Sequence, residues 1–330
     1  MRVLVTGSAG HLGEALVRVL REAGEDVAGL DVLASPWTTV VGSVADREAV
    51  RRAVRGADVV LHAATLHKPH VSSHPREAFV EVNVRGTLVL LEEAVAAGVG
   101  AFVFTSSTTT FGRALTPAPG EPAAWIDEDV VPRPKNVYGA TKTAAEDLCE
   151  LVHRDHGLPV VVLRTSRFFP EADDVEARRA AYADDELKVA ELLHRRIDLE
   201  DVVEAHRLAA ARASQLGFAR LVVSATTPFR PEDAAELARD LPAVLRRRVP
   251  GWEAVYGERG WRVPPALDRV YVNDRARALL GWAPRWDFAH ALERLRAGEP
   301  PRSALAVAVG AKGYHPQPHG PYTTRARRPV

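Results

Sequence analysis

The chain has 330 residues, 46% hydrophobic and 26% charged, with Lys+Arg and Asp+Glu balanced at 43 each. At ~100 to 200 residues per domain this length suits one large α/β domain with an appendage, and the composition is that of a globular protein. No apolar run reaches the ~18 residues of a membrane span, and the neutral balance gives no field to draw the molecule to nucleic acid or an anionic bilayer. A single cysteine, Cys149, excludes an intrachain disulfide and cysteine-based metal sites, and its place on an apolar helical stripe with Leu148 and Val152 points to core burial. The first residues run into an apolar strand pattern instead of a charged-then-apolar leader, so the cytoplasm is the expected compartment.

In chain order, the apolar run Val3 to Val5 is followed by helical periodicity from Leu12 to Glu22 and a second strand at Val27 to Leu30. Further strands are predicted at Thr39 to Val41, Val59 to Leu61, Phe102 to Thr105 and Val160 to Leu163, with helices near 46–55, 75–97 and 138–156. Continuous apolar strands need cover on both faces, and each crossover lays a helix across the sheet. The fold class is therefore α/β, a doubly wound parallel sheet.

After Pro170 the rhythm breaks into EADDVEARRAAYADDELK, then a helix over Leu199 to Ala213, a strand over Leu221 to Ser224, and a Pro-, Trp- and Arg-rich region over 228–300. This predicts a nucleotide-binding core over 1–165 and a smaller, mostly helical substrate lobe over 166–300 that sends one or more strands back to the core sheet. The prolines after Glu299 and the ending RARRPV predict a partly mobile tail over 301–330.

Gly7, Gly10 and Gly13 stand in VLVTGSAGHLGEALVRVL, between the first strand and the first helix. Glycines there allow a tight turn, close approach of backbone to a pyrophosphate and close packing of helix on strand, and the helix N-terminus offers free N–H groups to the phosphates. His11 and Leu12 belong to the same coenzyme-binding turn, with the His11 ring expected to face solvent or the helix flank. Asp31 ends the second strand near the ~20-residue offset at which a carboxylate accepts from an adenosine ribose, which favours NAD over a 2′-phosphorylated coenzyme.

Tyr138 and Lys142 in NVYGATK are four residues apart at the start of a helix and share one face. An ammonium beside a phenol stabilises the phenolate and draws its pKa below the ordinary ~10, so the tyrosine exchanges a proton with a substrate hydroxyl near neutral pH.

Together TGSAGHLG, LHAAT, NVRGT, FTSSTTTFG, YGATK and LGWAPRW resemble the extended short-chain dehydrogenase/reductase family, in its NAD-dependent epimerase/dehydratase branch. The resemblance implies a Rossmann fold in which Gly7, Gly10, Gly13 and Asp31 bind NAD, Val44 sits near the adenine, and Ala63, Ala64 and Phe168 line the coenzyme. It makes Tyr138 the catalytic acid/base, Lys142 its pKa-lowering and ribose-binding partner, Ser107 the hydroxyl that holds the reacting oxygen, and Asn83 a coenzyme-positioning or water-relay residue. Family members often form homodimers through helices that here span about 75–97 and 138–156, the first carrying Phe79, Val82, Leu90 and Leu91.

Two departures narrow the chemistry. Dehydratases of hexose nucleotides carry an acid pair where this chain has Thr108 and Thr109, and hydroxyls cannot replace carboxyl groups as proton donor and acceptor near neutral pH, so 4,6-dehydration is disfavoured and the two threonines are left as substrate contacts. In VVLRTSRFFPEAD, Arg167 replaces the asparagine that contacts the substrate diphosphate in sugar-nucleotide enzymes. It either binds a phosphate or carboxylate, or pairs with Asp173 or Glu171. His67 and Lys68 of LHKPHVSSH follow the fourth strand and are substrate candidates, against a metal site with His70, which the intervening proline disfavours, or a plain solvated loop.

These residues predict NAD-dependent hydride transfer at a secondary alcohol or ketone carbon of a sugar or sugar nucleotide, of the epimerase type. The alternatives are a net NAD(P)-dependent dehydrogenase or ketoreductase of a small non-nucleotide carbonyl compound, and a non-catalytic NAD-binding regulatory protein. The expected partner is a small-molecule substrate, with no metal, nucleic acid or membrane.

Overall fold

The computed structural model describes residues 1–315, 317, 320 and 322. The chain opens with β1 (Arg2–Thr6), α1 (His11–Glu22), β2 (Asp26–Asp31), β3 (Val40–Val41), α2 (Arg47–Val54) and β4 (Val59–His62). Next come α3 (Arg76–Phe79), a π-helical turn (Val80–Arg85), α4 (Gly86–Ala96), β5 (Ala101–Ser107), β6 (Ala124–Ile126), α5 (Val137–His156) and β7 (Val160–Thr165). The second half holds α6 (Glu176–Ala181), α7 (Asp184–Leu192), α8 (Leu199–Leu216), β8 (Phe218–Val223), α9 (Ala234–Leu237), α10 (Leu241–Arg248) and α11 (Trp252–Gly257). It ends with β9 (Arg269–Tyr271), α12 (Asp274–Leu280), α13 (Phe288–Arg296) and α14 (Ala304–Val309).

Seven parallel strands lie in the order β3-β2-β1-β4-β5-β7-β8, the doubly wound Rossmann arrangement extended by β8, and β6 pairs with β9 in a small second sheet. Strand order reverses between β1 and β4, which opens the crevice where ligands bind in such sheets. Successive side chains of a strand point to opposite faces. Val3, Val5, Leu61, Val103, Val161 and Leu163 accordingly pack with α1, α8 and α12, while Leu4, Val60, Phe102, Phe104, Val160 and Val162 pack with α2, α4 and α5. Both faces are apolar, so the strands read as unbroken hydrophobic runs.

The helix expected near 75–97 is present but carries the π turn at its centre. The expected boundary at 165 cuts through the sheet layer, because β7, α8 and β8 form one more crossover whose helix packs on β5 and β7. The remaining lobe has its own core, in which Phe229, Leu237, Leu245, Tyr256 and Phe288 are buried. Of the residues considered for a dimer face, Phe79, Leu90 and Leu91 are wholly buried inside the chain, which accounts for their apolar character without a second copy. Cys149 is likewise buried, and burial pushes its thiol up. No helix among the described residues is long and apolar enough to cross a membrane.

The tail departs furthest from expectation. Fully buried Ser303 caps α14 by accepting from Ala306 N at 3.0 Å, and Leu305, Ala306 and Val309 pack on the face that holds α1 and α8. An apolar ALAVAV segment with a serine cap is a helix start signal that the flanking prolines obscure. Residues 303–309 are thus docked on the core, and the RARRPV ending lies outside the described residues.

Beneath the sheet's C-terminal edge, Glu146 of α5 and Arg164 of β7 form a buried ion pair at 2.7 Å, with Ser106 Oγ donating to Glu146 at 2.5 Å. Removing one member strands a charge in the core. Glu146→Ala is expected to destabilise the protein by about 3–5 kcal/mol, read from denaturant unfolding. A loss below about 1 kcal/mol would show that the guanidinium finds another partner.

Candidate active site

The crevice is built from backbones packed closer than side chains permit. Gly7 has φ +72°, and a Cβ there would lie 2.8 Å from Ala64 N; at Gly13 it would lie 1.9 Å from Gly7 O. A Cβ at Gly10 would meet only Gly7 O, at 3.1 Å, so that side of the turn is open. Gly10 N donates to Gly7 O at 2.9 Å and Glu14 N to Gly10 O at 2.9 Å, and no side chain caps α1. Its first-turn N–H groups are available to an anion. Asp31 accepts from Ala9 N and Leu33 N, each at 2.9 Å, and keeps lone pairs for a diol. An uncapped helix start, an open glycine and a carboxylate at the end of β2 fit a dinucleotide.

Ala63 and Ala64 form the opposite floor, donating to Thr6 O at 3.3 Å and Thr6 Oγ1 at 3.1 Å. The same hydroxyl is hydrogen-bonded at 2.7 Å to His62, whose other nitrogen meets Thr87 at 2.9 Å; burial holds His62 down at about 3, so the ring is a neutral connector. Val44 lies beyond β3, buried against Gly86, where a Cβ would lie 2.7 Å from its Cγ2. Asn83, in the π turn, accepts from Thr65 Oγ1 and Leu66 N and donates to Leu66 O and Thr141 Oγ1, at 2.8–3.0 Å. All four of its hydrogen-bonding positions are spent on tying the loop after β4 to α5. The Asn83 side chain thus positions the loop, and any part in a water relay would fall to its backbone carbonyl, which accepts from Thr87 Oγ1 at 2.7 Å.

β5 ends at Ser107, and the 3₁₀ segment Thr108–Leu115 turns away through Gly112, whose φ of +51° and Cβ site 2.0 Å from Arg133 O suit glycine alone. Asn136 caps α5 by accepting from Gly139 N at 2.9 Å. A Cβ at Gly139 would lie 2.9 Å from Thr109 O, so this glycine lets α5 dock against the turn and brings Tyr138 to Ser107. The Ser107 hydroxyl is near enough to the phenol to oppose the rise that burial gives its pKa. Ser107 Oγ also donates to Thr109 Oγ1 at 3.0 Å, which places Thr109 beside the pair, while Thr108 is buried.

Lys142 does not meet the phenol. Its ammonium donates to Thr105 O at 2.7 Å and lies 4.5 Å from the centre of the Phe104 ring. The expected fall in the tyrosine's pKa is therefore corrected for this state: burial pushes Tyr138 up to about 12, against the opposing influence of the nearby Ser107 hydroxyl, and burial lowers Lys142 to about 7. Desolvation outweighs the pair's mutual attraction when the amine is turned to a carbonyl. The resting site holds a neutral phenol over a lysine that titrates near neutrality.

Other expected residues are placed differently from the sequence reading. His11 is only 4% exposed, with Nε2 2.7 Å from Glu171 Oε1, because the segment after β7 folds over the turn. Phe168 and Phe169, their ring centres 4.5 Å apart, both line a small cavity with Ile197 and Trp286, and the Phe169 ring also lies 5.6 Å from His11 and 5.3 Å from His67. Arg167 pairs with Asp173 at 2.5 Å, Asp174 at 2.9 Å and Glu191 at 3.3 Å. Lys68 pairs with Asp174, and the half-buried His67 accepts the edge of Tyr314 at a ring distance of 4.3 Å. Phe169, Glu171 and Tyr314 carry no motif that would single them out in the sequence. Among the described residues no group of three His, Cys, Asp or Glu side chains is arranged to hold a metal ion. A separate cavity of about 440 Å³ is lined by lobe residues including Pro117, Arg178, Tyr182, His194 and Leu267, and by none of Ser107, Tyr138 and Lys142.

Gly13→Ala is expected to abolish NAD binding, measured by titration calorimetry on the folded fraction, because the added methyl collides with Gly7 O; retained affinity would refute the cradle. Lys142 supplies a pH test. Between about 7 and its ordinary 10.5 the unfolded chain holds the proton that the folded chain has released. The coenzyme-free protein therefore gains stability from this group as pH rises across that window and loses it as pH falls through 7. Lys142→Met should flatten that slope in a series of melting temperatures against pH.

A model of the NAD dependent epimerase/dehydratase family matches residues 3–222. The chain is 31% identical over 322 residues to UDP-glucose 4-epimerase of Streptomyces lividans, covering 87% of this chain and 93% of that protein. It is 30% identical over 329 residues to dTDP-glucose 4,6-dehydratase of Streptomyces antibioticus, covering 89% and 91%. The structure of Thermus thermophilus UDP-glucose 4-epimerase in complex with NAD superposes with a TM-score of 0.60 at 25% identity, covering 90% of this chain and 99% of that one. Glycine turn, carboxylate at the end of β2 and family match agree, and the chain belongs to the NAD dependent epimerase/dehydratase family of extended short-chain dehydrogenases/reductases, with NAD as its coenzyme.

Proposed function

We propose that the protein inverts configuration at a secondary carbinol carbon of a sugar nucleotide. NAD supplies the chemistry by accepting a hydride from that carbon and returning it to the opposite face. Tyr138 exchanges the hydroxyl proton, Ser107 holds the reacting oxygen and Lys142, once its ammonium leaves Thr105 O, lowers the phenol's pKa. The observation that carries this reading is the docking of α5 at Gly139 against the turn after β5, which sets the buried Tyr138 near Ser107 and one helical turn from the buried Lys142. Thr108 and Thr109 argue against dehydration, since neither offers a carboxyl proton or a carboxylate base.

One observation favours a second reading, net oxidation or reduction of a small non-nucleotide compound. Arg167 stands where a diphosphate contact is expected, and its charge is engaged by three carboxylates. A nucleotide diphosphate would have to displace them.

UDP-glucose, UDP-galactose and dTDP-glucose, incubated with the purified chain and resolved by anion-exchange chromatography, separate the readings. The proposal expects an epimer to accumulate with no net reduced nicotinamide. A 4-keto-6-deoxy product would establish dehydration, and stoichiometric reduced coenzyme would establish a dehydrogenase. Tyr138→Phe should lower turnover by about 10²–10⁴-fold, and unchanged turnover would sink the proton route.

A further inference from the structure

Beyond Gly310 the chain turns back across the mouth of the crevice. Lys312 Nζ pairs with Glu14 on the first turn of α1 at 2.5 Å. The backbone N–H groups of Lys312 and Gly313 donate to Glu171 Oε1 at 2.9 and 3.2 Å, the same oxygen that lies against His11. The Tyr314 ring then enters between three walls. Its centre lies 5.7 Å from His11 after β1, 4.3 Å from His67 after β4 and 6.1 Å from Phe169 after β7. His315 closes the far side, 3.2 Å from Pro69 O and 3.3 Å from Ser73 Oγ.

The segment therefore touches the residues just beyond each of the three strands that frame the crevice. A dinucleotide running from Asp31 past the start of α1 to Tyr138 passes beneath it. The contacts to α1 fall on its first turn, where N–H groups and the helix dipole receive a diphosphate. A second observation points to a ligand: the Tyr314 hydroxyl is shut off from solvent and has no hydrogen-bond partner among the described residues. A buried hydroxyl left unpaired is costly, and a polar atom of the bound molecule would relieve it. Burial, with Glu171, Tyr322 and Tyr138 nearby, pushes this phenol well above its ordinary value, so it stays a neutral donor.

We propose that residues 310–315 form a C-terminal strap that completes the coenzyme site, with Tyr314 as its hydrogen-bonding residue toward the bound dinucleotide and the Lys312–Glu14 pair as its latch. Release of coenzyme then requires the strap to lift. The proposal rests on a dinucleotide occupying the crevice between β1 and β4, and it does not depend on which substrate is turned over.

Release of the reduced coenzyme NADH provides the test. The full chain is loaded with NADH, mixed with excess NAD, and the loss of nicotinamide fluorescence is followed by stopped flow. Lys312→Ala and Tyr314→Ala are each expected to release NADH at least about tenfold faster, an effect the size of one lost hydrogen bond or ion pair in a closed site. Tyr314→Phe, which keeps the ring and loses the hydroxyl, is expected to fall between Tyr314→Ala and the parent. Lys312→Ala leaves the aromatic packing untouched and serves if Tyr314→Ala fails to fold. A parent that holds NADH while every folded variant releases it within twofold of the parental rate overturns the strap alone. A parent that retains no dinucleotide overturns the coenzyme assignment and the strap together.

Discussion

Desolvation is the constraint on which this site depends. The crevice at the strand reversal is formed where backbones approach within the radius of a missing Cβ: Gly7 against Ala64, Gly13 against Gly7, Gly139 against Thr109. Close approach leaves little room for water, and Tyr138 and Lys142 end up 8% and 2% exposed. Burial raises the phenol and lowers the ammonium, which sets each toward its neutral form. Tyr138 and Lys142 are thus biased by their surroundings before any ligand charge acts on them.

Much of this frame is legible in the chain because it rests on local rules. Glycines at three-residue spacing between a strand and a helix announce a tight turn whatever surrounds them, and Tyr138 and Lys142 share a helix face by geometry alone. The two-faced burial of the sheet is visible as unbroken apolar runs. The helix over residues 75–97 is visible too, but its π turn is not, since one extra residue per turn leaves no mark in composition.

The features hidden from sequence are tertiary. Lys312 and Glu14 are separated by 298 positions, and nothing near either one signals the other. His11 looks like a surface residue because it is polar and follows the small residues Ser8, Ala9 and Gly10; its burial comes from Glu171 and Tyr314, both contributed from far along the chain. The proline-rich end reads as mobile from composition, although Ser303 and the ALAVAV run hold a helix signal of their own. Composition describes the average of a segment, and three or four well-placed residues decide whether it docks.

The two open questions, substrate and coenzyme exchange, meet at the segment after β7. Arg167, Asp173, Asp174 and Glu191 form a charge network on its lobe side, and Phe169 and Glu171 face the crevice and the strap. Asp174 is shared between Arg167 and Lys68, so the loop after β4 is tied into the same network. A substrate anion that drew Arg167 away from these carboxylates would free Asp174 to hold Lys68 alone and would loosen the segment that anchors the strap through Glu171. If the strap holds the coenzyme as proposed, substrate charge and coenzyme retention are coupled by that arrangement. An uncharged substrate leaves the network, and hence the strap, undisturbed, whereas a diphosphate must break at least one ion pair to enter. The enzyme that keeps its coenzyme through a turnover and the enzyme that exchanges it differ, in this architecture, by how firmly one short stretch of backbone is held between two sets of charges.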